Sequence, residues 1–146
     1  MPTTSTAINA CGVTILIENE FGEMIDCSGS ANEANLDFDN DLGEYKVFGD
    51  RAKYRLECGL DTSLDFTAIY TTALREAADL LKTWRVQRGQ RRIRICVPRN
   101  VSGADAYEGR YFYEKINLPL KSDEAKPIMS KVSAKPNGEV NYFKVP

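Results

Sequence analysis

The chain has 146 residues, 42% of them hydrophobic and 27% charged, with a formal net charge of −2. This composition is typical of a soluble globular protein and argues against a disordered, collagen-like or membrane-embedded chain, and the length suits a single domain over residues 1–146. No apolar run approaches the roughly 18 residues of a membrane span, and the polar start lacks the layout of a secretory signal.

The amino-terminal part begins with strand patterns and continues into a polar stretch. Residues 13–18 are apolar and β-branched, and residues 23–27 are predicted to pair with them across a turn at 19–22. The next stretch is rich in Ser, Gly, Asn and Asp, and only Leu36 and Phe38 offer apolar surface there. We therefore predict a long polar loop or arm over about residues 28–44.

Alternation of apolar and polar residues then predicts a pair of strands. Tyr54, Leu56 and Cys58 alternate with charged residues, and Leu64 and Phe66 continue the pattern after a break at residues 59–62. Such alternation is typical of strands with one buried and one solvated face. Residues 53–58 and 63–70 are therefore predicted to form a hairpin.

A helix is predicted over about residues 71–87, where the apolar period changes to three and four residues. Leu81 and Trp84 lie on its apolar side, and charged residues occupy the other side. Thr71 or Thr72 is the predicted N-cap, and Gly89 can end the helix.

The rest of the chain returns to strand patterns. Residues 93–97, 107–118, 128–134 and 139–145 are predicted strands, with a hairpin turn at residues 135–138. About eight strands and one helix are expected in total. The pattern fits a mainly β fold, a β-sandwich or barrel with one α-helix packed outside and a long polar loop.

Catalytic and cofactor chemistry have little support in the sequence. The chain has no histidine, so Ser-His-Asp and Cys-His arrangements are excluded, and it has no phosphate-binding glycine motif. Cys11, Cys27, Cys58 and Cys96 lack close ligand spacing, which favours reduced thiols over a metal site or disulfides. We therefore expect a protein that is not an enzyme and holds no cofactor and no metal.

Three alternating acids stand out in the polar stretch. Asp37, Asp39 and Asp41 have the oxygen ligands for a carboxylate pair or a calcium site. An EF-hand loop needs an acid at its twelfth position, where Phe48 stands instead. A solvated acidic loop is the preferred interpretation.

Charge is unevenly divided along the chain. Residues 1–66 carry 13 acidic and 4 basic side chains, whereas residues 67–146 carry 8 acidic and 15 basic ones. The two halves either neutralise each other within one fold or attract between copies, head to tail. The basic run around Arg88 and Arg94, with Trp84 nearby, is also a candidate nucleic-acid surface, although the acidic isoelectric point opposes this.

The order of these features resembles the major tail tube proteins of long-tailed bacteriophages. The resemblance covers most of the chain and is carried by the amino-terminal β segment, the acidic stretch, the strand pair at 53–59 and 62–70, the single helix, and the late β segment at 126–143. An aromatic residue often follows the turn aspartate in that family, and Thr62 replaces it here. The chain is also similar to the tube subunits of contractile tails and of type VI secretion.

The resemblance implies a structural virion protein that assembles in the bacterial host cytoplasm into stacked hexameric rings forming the tail tube. Its partners would be copies of itself and the tape measure, tail terminator and tail tip proteins, with no membrane. DNA would pass through the lumen without specific binding, which suits an acidic lining because phosphates are not held there. The predicted lumen residues are Glu57, Asp61 and Asp65. The predicted contacts between subunits are Asp37, Asp39, Asp41, Arg88, Arg91, Arg92 and Arg94.

Two other functions stay open at this stage. A nucleic-acid-binding β-barrel module would bind DNA in a salt-sensitive way through Arg91, Arg92 and Arg94. A barrel that holds a small ligand would be a stable monomer with an internal cavity.

Overall fold

The computed structural model describes residues 13–27, 31–49, 51–97, 101–120 and 126–146. The polar amino-terminal segment and Cys11 lie outside the described residues. In chain order the elements are β1 Thr14–Glu18, β2 Met24–Asp26, β3 Ala31–Lys46, β4 Lys53–Ile69, α1 Ala77–Gln87, β5 Arg91–Val97, β6 Asp105–Asn117, β7 Met129–Pro136 and β8 Asn141–Lys144.

The eight described strands form one antiparallel sheet. Its strand order is β2-β1-β5-β6-β7-β4-β3, and β8 pairs with β6 beside this path. The predicted mainly β class with a single helix is confirmed for the described residues. The sheet is open, however, and it does not close into the barrel that we considered.

The predicted polar loop at residues 28–44 is wrong over its described part, which is strand β3. Ala31–Lys46 pairs with β4 along its whole length. The backbone hydrogen bonds of this ladder do not depend on apolar side chains, so polar residues on both faces do not prevent strand formation. The predicted hairpin at residues 53–58 and 63–70 is likewise wrong, because both segments belong to the single strand β4.

The hairpin turn predicted at residues 135–138 is also wrong. Strands β7 and β8 are both antiparallel to β6, so the chain keeps its direction between them. Pro136 lacks an N–H for the ladder, and the chain rejoins β6 through the Asn137 N–H, which donates to the Arg110 carbonyl at 2.7 Å. Gly138, with a φ of 99°, therefore lies in a short break between two collinear strands and not in a chain reversal.

The helix begins at Ala77, six residues later than the predicted start at 71. Arg75 has a φ of 65°, which a helix cannot accommodate, so Glu76 takes the N-cap position without a side-chain cap. The predicted Thr71 hydroxyl donates instead to the Glu76 carboxylate. The helix ends at Gln87, as predicted. Just beyond this end, the Trp84 indole N–H donates to the Gly89 carbonyl at 2.9 Å.

The core lies between the helix and one face of the sheet. It contains Ile17, Leu64, Phe66, Ile93, Tyr111 and Val132 from the strands and Ala77, Leu80, Leu81 and Trp84 from the helix. A smaller cluster of Leu16, Cys96 and Ala106 packs under Phe143 on the opposite face. No helix in the described part of the chain is long and apolar enough to cross a membrane.

Two of the four cysteine side chains, Cys27 and Cys96, are described, and both are buried. Burial raises the pKa of the Cys27 thiol from 9.0 to about 12. Folding therefore favours the protonated Cys27 thiol. The stability of the fold with this thiol protonated is fully present below pH 9.0 and is lost as the pH rises towards 12, because the unfolded chain then loses the proton more readily.

We expect Cys27 to resist alkylation in the native protein, because the thiolate is the reactive form. At pH 8 its labelling by iodoacetamide should be slower in the folded than in the unfolded chain by at least about a hundredfold. Peptide mass spectrometry measures both rates. Equal rates would show that the thiol is not buried as described.

Candidate assembly interface

The β3–β4 hairpin extends beyond the rest of the sheet as an arm. Strand β7 pairs with β4 only from Leu64 to Ile69, so the part of β4 before Leu64 has β3 as its described partner strand. We call residues 37–57 the arm. Its described residues are exposed, apart from the half-buried Gly43, and at its base the Phe38 ring lies 5.6 Å from the Tyr107 ring of β6. An isolated two-stranded ribbon is marginally stable in water, so an arm exposed on both faces is suited to being covered by another molecule.

A β-bulge changes which side chains each face of the arm carries. Asp41 pairs with Gly59 and Leu42 pairs with Glu57, so Cys58 is an extra residue in β4. Gly59 has a φ of 147°, which side-chain-bearing residues rarely adopt. Because paired residues share a face and successive residues alternate, the bulge places the outer half of β4 in the opposite phase to its inner half.

The consequence is an exposed apolar cluster on the outer half of the arm, on the face opposite to the core. Tyr45 is paired with Tyr54, their rings are stacked at 5.4 Å, and Leu56 lies on the same face. We call Tyr45, Tyr54 and Leu56 the distal cluster; all three are exposed. The other face is charged, with Glu44 bridging to Lys53 and Arg55 at 3.8 and 3.4 Å.

Nearer the sheet, the same face of the hairpin is acidic. Asp39 lies directly opposite Asp61, and the alternation places Asp37, Asp41 and Asp65 on the same face. This face points away from the core, because Leu64 and Phe66 occupy the other one. The structure thus brings together two predicted lumen residues and three predicted contact residues. Like charges facing each other destabilise a strand pair, so this arrangement is not explained by the stability of the isolated chain.

Glu57 is separated from the other two predicted lumen residues. It pairs with Leu42, and the bulge places both on the core side of the hairpin. Sequence alternation alone gave no indication of this, because the extra residue becomes visible only when β4 is aligned with β3.

The predicted basic contact residues are engaged within their own chain. Arg91 is only 4% exposed and donates to the Glu18 carbonyl and the Gln87 side chain at 3.1 and 2.8 Å. Arg92 bridges to Glu18 at 3.1 Å. The Arg92–Glu18 pair neutralises part of the charge division inside one fold, whereas the partners of Arg91 are uncharged.

Arg94 and Arg88 complete the basic group. Arg94 bridges to Glu108 at 3.0 Å and lies 5.1 Å from the centre of the Phe143 ring. Arg88 is exposed at the end of the helix. Contact of these four arginines with a neighbouring subunit stays a prediction, and Arg88 is the member with an exposed side chain.

In the described part of the chain, no group of three or more Cys, Asp or Glu side chains is placed to hold a metal ion.

No protein-family model matches the sequence, and no curated protein matches it either. Solved structures match its fold. A chain from the tail of an empty gene transfer agent particle with C6 symmetry is 9% identical, has a TM-score of 0.73, and aligns over 94% of this chain and 99% of its own length. The SPP1 tail tube is 10% identical with a TM-score of 0.75, over 94% of this chain and 79% of its own.

A chain from the anti-feeding prophage baseplate is 10% identical, has a TM-score of 0.74, and aligns over 99% of both chains. At such identities the likeness concerns the fold. The open antiparallel sheet, the helix packed on it and the long hairpin, as far as the chain is described, together have the fold of tail tube proteins.

Proposed function

We propose that this chain is a structural tail tube subunit, which assembles with copies of itself into stacked, hexameric rings of a phage tail. The arm is the observation that carries the proposal. It exposes the distal cluster and offers both faces to solvent, and exposed apolar surface of this kind marks an interaction site. The matching fold in assembled tails supports the same conclusion.

The edges of the sheet support ring formation. Strand β3 pairs with β4 on one side, and no further described strand covers its other side over 16 residues. A long exposed strand edge invites pairing with another chain. In a ring, the neighbouring subunit would cover this edge, so that the sheets of successive copies join around a lumen.

The acidic face is proposed to line that lumen. Asp37, Asp39, Asp41, Asp61 and Asp65 share the face that points away from the core. A carboxylate lining repels phosphates, so DNA would pass during ejection without being held. A location in the virion tail, after assembly in the bacterial host cytoplasm, is part of the same proposal. Tape measure, tail terminator and tail tip proteins are its proposed partners.

The inner tube of a contractile injection system is a second candidate. The anti-feeding prophage chain aligns with nearly the whole of this chain, and a chain from the sheath-tube complex of an extracellular contractile injection system also matches with a TM-score of 0.67. Binding of nucleic acid as the main function is less well supported, because Arg91, Arg92 and Arg94 are engaged with groups of their own chain.

Negative-stain electron microscopy of the purified protein at increasing concentration tests the proposed function. We expect rings at low concentration and hollow tubes at high concentration. A protein that stays monomeric at every concentration would contradict self-assembly.

Reversing the charge of three acids on the acidic face tests whether they line the lumen or contact a neighbouring subunit. In the variant carrying Asp37→Lys, Asp39→Lys and Asp41→Lys, we expect tubes to form and to retain added double-stranded DNA at low salt. The retention should fall steeply as salt increases, because it depends on phosphate neutralisation. Co-sedimentation of DNA with tubes measures this. Loss of tubes in this variant would instead assign the three acids to subunit contacts, as the sequence suggested.

A further inference from the structure

The tip of the arm is a basic and apolar surface. Phe48 is fully exposed at the turn, beside the half-exposed Val47. Lys46, Arg51 and Lys53 lie near it in the chain and are exposed, and Lys53 also bridges to Glu44 at 3.8 Å. A phenylalanine fully exposed at the end of a protruding hairpin has no packing role in its own chain.

A groove on another part of the molecule has the complementary character. It lies between the β1–β2 turn and the segment before the helix. Its rim carries Phe21 and Leu74, which are 79% and 80% exposed. Its lining also includes the apolar Ile25 and Leu80 and the acidic Glu20, Glu23 and Asp79, with Arg75 as the one cation.

The tip and the groove lie at opposite ends of the sheet. Strands β4, β7, β6, β5 and β1 are neighbours in this order, and each is antiparallel to the one before it. Strand β1 therefore runs in the same direction as β4, and both run away from the end that carries the arm tip. The β1–β2 turn follows the end of β1, and the segment leading to the helix follows the end of β4. The groove is built from these two segments, so a tip cannot reach the groove of its own chain.

We propose that the arm tip of one copy docks into the groove of a second copy, with Phe48 between Phe21 and Leu74. The inference rests on the proposed function and specifies one of its contacts. Two features select a second copy as the occupant. The tip contributes three described cations, of which Lys53 bridges to Glu44, and the groove contributes three acids, of which Glu23 bridges to Arg75, so an excess of positive charge meets an excess of negative charge. The two surfaces also face opposite directions along the strands. Such a contact is heterologous, so it repeats head to tail and extends into a filament.

Cysteine pairs test this contact directly. The variant with Phe48→Cys and Leu74→Cys should form disulfide ladders of linked chains when its tubes are mildly oxidised. The control variant with Phe48→Cys and Val101→Cys should not, because Val101 follows β5 at the tip's own end of the sheet. Each single variant and the wild-type chain, with its own cysteines, set the background on non-reducing gels.

The second test removes the Phe48 side chain and measures tube growth. Because truncating a central aromatic anchor has a large effect on an interface, Phe48→Ser should raise the critical concentration for tube growth about tenfold or more. Leu74→Glu should do the same, and neither exposed substitution should change the thermal unfolding of the subunit. Wild-type tubes without ladders, together with normal growth of Phe48→Ser, would overturn this docking while leaving the tube function intact. Absence of tubes from the wild-type protein would overturn the proposed function itself.

Discussion

Replacing Trp84 with alanine is expected to lower the free energy of unfolding by about 3–5 kcal/mol. The indole is 0% exposed, lies in the core between helix and sheet, and meets the Tyr113 ring edge to face at 5.6 Å. Its N–H also donates to the Gly89 carbonyl. The substitution therefore opens a cavity at the site where the only described helix is held against the sheet.

Urea unfolding followed by circular dichroism measures this loss. Val86→Ala is the matched control, because Val86 lies on the same helix and is 79% exposed. We expect the control to change the free energy of unfolding by no more than about 0.5 kcal/mol. A loss below about 1 kcal/mol for Trp84→Ala would mean that the helix is not packed through this side chain.

Inserting one alanine between Asp41 and Leu42 is expected to abolish tube assembly while leaving the subunit folded. The inserted residue would pair with Cys58 and remove the bulge, because β3 would then match β4 residue for residue. A shift of one residue moves every following side chain to the opposite face. The distal cluster would therefore turn from the face away from the core to the core side of the arm.

The same alanine inserted between Arg51 and Ala52, at the turn, is the matched control. It lengthens the arm equally but leaves the pairing of Tyr45 with Tyr54 unchanged. Electron microscopy compares tube formation, and thermal unfolding checks that both subunits remain folded. Normal tubes from the first variant would show that the face occupied by the distal cluster does not matter for assembly.

Local patterns predicted the elements whose side chains face one core. The strands β1 and β2, the apolar face of the helix and the late strands follow from periods of two and of three to four residues. Leu81 and Trp84 were correctly assigned to the buried side because helical spacing brings them to one face.

Strand β3 could not be recognised in this way. Asp37, Asp39 and Asp41 alternate with side chains that are also exposed, so the segment has no buried face to produce a pattern. Its backbone pairing with β4 creates the strand. Arg91 was predicted to contact another subunit, but its side chain is buried and donates to the Glu18 carbonyl. Glu18 lies on a neighbouring strand far away in the sequence, so the local pattern around Arg91 could not show this.

The sequence by itself determined the mainly β class, the helix found in the described residues and the lack of histidine-based chemistry, because those properties depend on composition and local periodicity. The tertiary structure alone decided that the polar stretch is half of a protruding arm. It also decided that five aspartates share one face, while Glu57 and the distal cluster lie where a single extra residue puts them. Strand pairing and its register join distant segments, and only the folded sheet determines which of their side chains share a surface.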